Sequence, residues 1–291
     1  MRFWGLALVL LTVAFTGPAL AEEADEDQPR LFQMESAEVG PELSARLWLT
    51  SGYTKVVSYA LQDKFEHDDN LLILIEGEMP LPGYSWASVW GRVGTTIRDK
   101  EGDSDNGNSE ARFGLFEINL GACLAGRGSP LAPHHELPES YLQGYVGLRV
   151  FRESFEADAA GGDDLTYDTL WYGPQLGLRG YWHLGDSYSE EGLMGWGLSA
   201  GAALLPVIML DAEVDHDTGR DSDQKSGSGY GYSWFVGASY RTRSLVFTLG
   251  YEVQRIKTDE GHEHVSGTSD ADLWLVDSRR EGPFFSLGVL F

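Results

Sequence analysis

The sequence predicts an all-β chain: a ten-stranded antiparallel transmembrane β-barrel of the bacterial outer membrane. Three observations predict it. Apolar residues recur with period two through most of the chain, connections alternate between tight turns and long acidic stretches, and the final alternating segment ends in an aromatic residue, Phe291. A closed barrel follows from the solvent, because an open sheet edge would leave backbone donors and acceptors unpaired in hydrocarbon.

Composition narrows the partners. The 291 residues hold 45 acidic against 21 basic side chains, a formal net charge of -24, so nucleic acid is excluded as a partner. One cysteine, Cys123, cannot make a disulfide framework. At the N-terminus Arg2 precedes an apolar run from Trp4 to Phe15, followed by Ala19-Leu20-Ala21. Basic start, apolar middle and Ala-x-Ala ending predict a secretory signal peptide over 1–21. No cysteine stands at the new N-terminus, position 22, which argues against a lipoprotein. Residues 22–42 begin Glu22-Glu23-Ala24-Asp25-Glu26-Asp27 and form an acidic N-terminal segment without periodicity; 43–291 is the barrel. Beyond residue 21 no apolar run approaches the roughly 20 residues of a membrane-spanning helix.

The strands follow in order at about 43–60, 70–79, 84–98, 111–125, 139–154, 168–184, 192–210, 229–243, 245–258 and 274–291. In 112–124 the apolar face is Phe116, Ile118, Leu120, Ala122 and Leu124, opposite Glu117, Asn119, Gly121 and Cys123. In 171–184 Tyr172, Leu176, Leu178, Trp182 and Leu184 oppose Gly173, Gln175, Gly177, Arg179, Tyr181 and His183. In 245–254 Leu245, Phe247, Leu249, Tyr251 and Val253 share one face. The last strand sets Phe285, Leu287, Val289 and Phe291 against Phe284, Ser286, Gly288 and Leu290, resembling the C-terminal strand by which outer-membrane proteins meet the barrel-assembly machinery. Pro80-Leu81-Pro82-Gly83 and Arg243-Ser244 are tight turns, and 126–138, with Pro130, Pro133 and Pro138, is a longer connection at the same end. The stretches 61–69, 99–110, 155–167, 211–228 and 259–273, rich in Asp, Glu, Gly and Ser, are expected to be long external loops.

Inside so narrow a barrel, Arg46, Trp48, Glu76, Glu78, Trp86, Arg92, Glu117, Gln143, Tyr145, Arg149, Arg179 and Tyr181 are expected to fill the lumen with paired charges and aromatics, which disfavours a general diffusion pore. Aromatics near strand ends, namely Trp48, Trp86, Trp90, Tyr145, Trp171, Tyr172, Trp182, Tyr230, Tyr232, Trp234, Tyr240, Tyr251 and Trp274, suit two interfacial girdles. Outer-membrane lipid is the first partner this exterior implies.

Chemistry is expected at the rim. Asp103-Ser104-Asp105 lies in the second long connection, and Asp211, Glu213, Asp215, His216 and Asp217 in the fourth. A carboxylate orienting a histidine, with an acidic pair opposite holding a water, is a general-base arrangement for hydrolysis. In strand number, length, signal segment and the positions of these clusters the chain resembles the omptin family of outer-membrane aspartate/histidine-type proteases. The resemblance implies that Asp103 and Asp105 would match the omptin acidic pair, and that His216 would serve as the base with Asp215 beside it. Omptins space that dyad Asp-x-His, whereas here Val214 stands two before His216 and Asp215 directly before it.

Other candidates are weaker. Asp103-Ser104-Asp105-Asn106-Gly107 has a calcium-loop flavour but places Gly fifth rather than sixth, which leaves loosely bound divalent cations and no dedicated metal site. His134-His135 and His262-x-His264 lack a third zinc ligand nearby. Cys123 faces the lumen as a small filler. No cofactor is implied. The sequence therefore predicts an outer-membrane barrel with a structural or surface-interaction role; the alternatives are an omptin-like endopeptidase using Asp103, Asp105, Asp215 and His216, and a narrow small-solute channel.

Overall fold

The computed structural model describes residues 41–58, 61–82, 84–98, 102–104, 107–126, 140–158, 164–184, 188–189, 192–193, 195–216, 221–242, 244–258, 260–266, 271–273 and 275–290. The signal segment, most of the acidic N-terminal segment and Phe291 lie outside them; Glu42 already opens the first strand.

Ten long strands make the barrel: Glu42–Val57, Gln62–Leu81, Tyr84–Arg98, Gly107–Gly126, Tyr141–Asp158, Asp164–Leu184, Gly195–His216, Ser222–Arg241, Leu245–Thr258 and Leu275–Leu290. Each pairs antiparallel with its sequence neighbours. The tenth pairs with the first from Glu42↔Leu290 to Val57↔Leu275, so the cylinder is closed. Two-sided patterning explains the registers. Ile118, Leu120, Leu176, Leu178, Phe247, Leu249, Phe285 and Leu287 are exposed on the outside, while Glu117, Asn119, Gln175 and Phe284 are buried inside, as the alternation in 112–124, 171–184, 245–254 and the last strand predicts.

The expected loops are corrected at one end, here called the loop end. Gln62–Asn70, 107–110, 155–158, 164–167, 211–216 and 222–228 are strand, so the sheet runs well past the apolar band. The short strands Gly102–Ser104, Gly261–Val265 and Ala271–Leu273 extend it further. Period two persists in these acidic stretches with its polarity reversed. Asp63, Phe65 and His67 are buried inside while Gln62, Glu66 and Asp68 face out; Ala212 and Val214 are buried while Asp211, Glu213 and Asp215 face out. A strand with apolar residues on its inner face belongs to a water-surrounded barrel, not to a lipid-facing one.

Irregularities mark the change of solvent. Residues 68–69 of the second strand stand against Ser51 alone, and Asp69 takes the left-handed conformation, with φ at 57°. Outside the first strand, Leu47 and Leu49 give way there to Ser51, Tyr53 and Lys55. The seventh strand shifts register between Leu205 and Ile208, around Pro206, just before its exterior turns from Val207 and Met209 to Asp211.

The aromatic girdle also needs correction. Trp48, Trp90, Tyr145 and Trp171 occupy inward positions; Trp48 and Trp171 are completely buried. Their polar atoms explain it, since a Trp N–H can be satisfied inside a filled lumen: Trp48 Nε1 donates to the Gly282 carbonyl at 3.2 Å and Trp171 Nε1 to the Glu153 carboxylate at 3.0 Å. Trp182, Tyr230, Tyr232, Trp234 and Tyr251 do face outward, joined by Trp196. The side chains of Trp86 and Trp274 are outside the described set.

Candidate functional site

The lumen is filled in layers. Nearest the turn end lies an ion network on six strands: Arg46 reaches Glu252 at 2.6 Å and Glu76 at 3.1 Å, Arg92 reaches Glu117 at 2.7 Å and Glu252 at 3.0 Å, and Arg149 joins Glu117. Arg179 pairs with Glu78 and lies over the Trp90 ring at 4.6 Å. Buried carboxylates and guanidiniums survive because each is paired or hydrogen-bonded. All but Glu252 and Trp90 are residues the sequence placed in the lumen, and the cavity left among them is only about 90 Å³. Cys123 sits near this end, its thiol donating to the Ala125 carbonyl.

Above the network come Trp48, Leu72, Leu74 and Phe284, then a second buried pair. Glu153, with no exposed surface, holds Arg280 and accepts hydrogen bonds from Thr54, Thr169, Trp171 and Ser278. The Arg280 guanidinium is sandwiched by the rings of Phe151 at 3.7 Å and Phe113 at 4.1 Å. His67 packs against Phe113 with the two rings tilted by 57° at a centroid distance of 4.8 Å; burial first and Arg280 second push its pKa down to about 3.

The loop end is an apolar core. Phe65 stacks on Phe155 at 4.9 Å and on Tyr167 at 5.9 Å, which ties the second strand to the fifth and sixth across the interior. The Tyr167 hydroxyl donates to Gln224, whose amide donates to Glu263, and Glu263 also accepts from Ser58 and Ser222. This polar cap closes the core over Val56, Leu165, Val214 and Val276.

The outer wall of the same region is charged. Register places Glu213 directly beside Asp168 on one neighbour and Asp223 on the other, and Asp223 beside His264. Like charges opposed across strands repel. Asp215, then Asp223, Asp168 and Asp221, hold the Glu213 carboxyl above the usual range. Among the described residues Arg152, at 3.4 Å from Asp168, and Lys225, beside Asp211, interrupt the row. Sequence reading picked out Glu213 and Asp215 and did not single out Asp168; only strand register brings Asp168 and Asp223 beside Glu213.

The predicted rim residues fall as follows. Asp103 lies in the Gly102–Ser104 strand, its backbone paired with Glu66 and Asn108, and Asp105 is outside the described residues. His216 ends the seventh strand, its backbone paired with Leu165, and the ladder is unbroken from Leu210 to His216. Asp215 is exposed on the outer wall. The interior of this region is occupied by Phe65, Phe155 and Tyr167. His262 and His264 are both outward, with Glu263 inward between them; His134 and His135 are outside the described residues. Among the described residues no group of three or more His, Cys, Asp or Glu side chains is arranged to hold a metal ion.

Against solved structures, the chain is similar to the outer membrane protease OmpT from Escherichia coli, with a TM-score of 0.67 over 87% of this chain and 97% of that one at 15% identity. The chain is an outer-membrane barrel with an omptin-like layout. The translocator domain of the autotransporter NalP from Neisseria meningitidis follows at a TM-score of 0.39 and 10% identity over 87% of this chain and 89% of that one. A Pseudomonas aeruginosa FadL homologue matches at 0.30 and 8%, over 86% and 90%. No protein-family model and no curated protein matches the sequence. At 15% identity the omptin-like likeness concerns the fold alone.

Proposed function

We propose that the protein is a sealed surface barrel whose acidic loop-end wall binds cationic partners, in keeping with a structural or surface-interaction role. One observation carries this reading: among the described residues Asp168, Asp211, Glu213, Asp215 and Asp223 lie on the outer wall of the loop end, while the interior they surround is a packed core that encloses the paired Glu153 and Arg280. A wall row of Asp168, Glu213 and Asp223 costs repulsion that a cationic peptide or divalent ions would relieve. A conducting pore would need an open path, and the ion network and the Phe65–Phe155–Tyr167 stack fill it.

The test is retention of an oligolysine peptide by the refolded barrel in low salt. Asp168→Asn/Glu213→Gln/Asp223→Asn should weaken retention about tenfold or more, and high salt should do the same to the unaltered protein. Equal retention by both would end the proposal. Steady conductance of the unaltered protein in a planar bilayer would favour the channel instead, and peptide cleavage abolished by His216→Ala would favour the endopeptidase.

A further inference from the structure

The membrane-facing wall is not uniformly convex. Towards the turn end, across the third to seventh strands, it carries an apolar groove of about 800 Å³. Cross-strand register makes the floor: Ala87 pairs with Ala122, and Ala122 with Gly144. One row further along the strands, Leu120, Val146, Leu176 and Leu204 follow each other across four strands and stand up as a ridge. These four are exposed members of the apolar band that meets the bilayer.

We propose that this groove holds the acyl chains of one membrane phospholipid, retained as a specific ligand rather than exchanging freely with the bulk bilayer. Continuity with the bilayer surface decides the occupant, because the groove opens into hydrocarbon and the chains there are its nearest neighbours. An unfilled groove would forfeit dispersion contacts along its whole length. Its volume is in the range of sites that enclose a ligand. A second copy of the chain fits less well: protein interfaces centre on aromatic or Arg anchors in polar rims, and the groove is lined by Ala, Gly, Leu and Val with Tyr145 as its one aromatic. Gly144 is the lever. A side chain there would project into the groove, its Cβ 3.1 Å from a flexible Leu124 methyl.

The experiment extracts the full-length protein from membranes in mild detergent and counts phospholipid per barrel by native mass spectrometry. Gly144→Leu and Ala122→Leu are compared with Ala238→Leu, an outward, exposed position on the eighth strand away from the groove. Heat-modifiable migration in gels confirms that each variant is folded. The unaltered protein and Ala238→Leu should keep about one phospholipid, and each groove-filling variant should keep about tenfold less, the loss expected from a few methylene contacts. If a groove variant does not fold, add-back of a diacyl phosphatidylethanolamine to delipidated unaltered protein serves instead, and should raise its thermal midpoint. Equal lipid in all four proteins, no response to add-back, or a lipid-free dimer that Gly144→Leu turns into a monomer would each overturn the proposal.

Discussion

The two halves of the barrel solve opposite solvent problems with the same period. In the membrane half the outside is Leu, Ile, Val and Phe and the inside is Arg46, Glu76, Arg92, Glu117, Arg149 and Glu252. At the loop end the inside is Phe65, Phe113, Phe151, Phe155, Tyr167 and Val214 and the outside is Asp, Glu, Lys and Arg. One cylinder is therefore inside-out over half its length and soluble-like over the other. The bulges at Ser51 and Pro206 lie near the crossover. The contrast teaches that charge alone does not locate a loop: polarity of the exposed face follows the solvent, and backbone period tells whether the segment is strand.

That contrast also explains what was legible. The membrane strands were, because an apolar face with Gly, Glu and Arg opposite over so many residues favours a lipid-facing barrel over a soluble sandwich, whose strands also alternate. The filled lumen was too, since Arg92, Glu117 and Arg149 alternate with lipid-facing side chains. The loop-end strands were not. In 62–69 the outward Gln62, Lys64, Glu66 and Asp68 dominate the composition, and only two aromatic rings, Phe65 and His67, carry the inner face. Trp171 was misplaced, and Trp48 was expected both in the lumen and at the interface, because an indole suits a lipid interface and a hydrogen-bonded interior equally. The acidic wall row needs three strands side by side, which no single segment reveals.

The largest effect should come from the pair buried in the loop-end half. Glu153→Ala leaves Arg280 buried without its carboxylate, and should lower stability by about 3–5 kcal/mol in urea unfolding. Glu153→Gln with Arg280→Met should recover most of that loss, because Phe113 and Phe151 already make the guanidinium's surroundings apolar and the amide oxygen can still accept from Trp171 and Thr169. The corresponding double change Glu117→Leu with Arg92→Met should recover little, since Arg149 and Glu252 would be left with partners missing. Equal recovery in both halves would erase the distinction between an apolar core holding one pair and a charge network.

A smaller effect separates the two exteriors. Ile118→Arg puts a charge on the lipid-facing band and should cost about 2–4 kcal/mol if that site is near the bilayer midplane. Thr166→Arg puts the same charge on the loop-end wall between Asp215 and Glu156, its cross-strand neighbours. It should be neutral or stabilise by about 0.2–1 kcal/mol. Thermal unfolding of both variants in lipid vesicles measures the pair, and a costly Thr166→Arg would mean that the loop-end wall is not in water.

The smallest effect is electrostatic and depends on pH. Neighbouring carboxylates raise the Glu213 pKa in the folded state, so the folded protein binds more protons than the unfolded chain just above the ordinary carboxylate range. Stability attributable to this group therefore falls as pH rises through the raised value and stays low at neutral pH. Glu213→Gln should raise the thermal midpoint at pH 7 in low salt, and should do nothing below the ordinary carboxylate range, where Glu213 is protonated in both states. Because the side chain is exposed, the gain should shrink in molar salt, where the screening length is about 3 Å. A gain that survives molar salt, or one larger at low pH than at pH 7, would point to packing rather than repulsion as its cause, and the acidic row would lose its claim to be the strained feature of the loop-end wall.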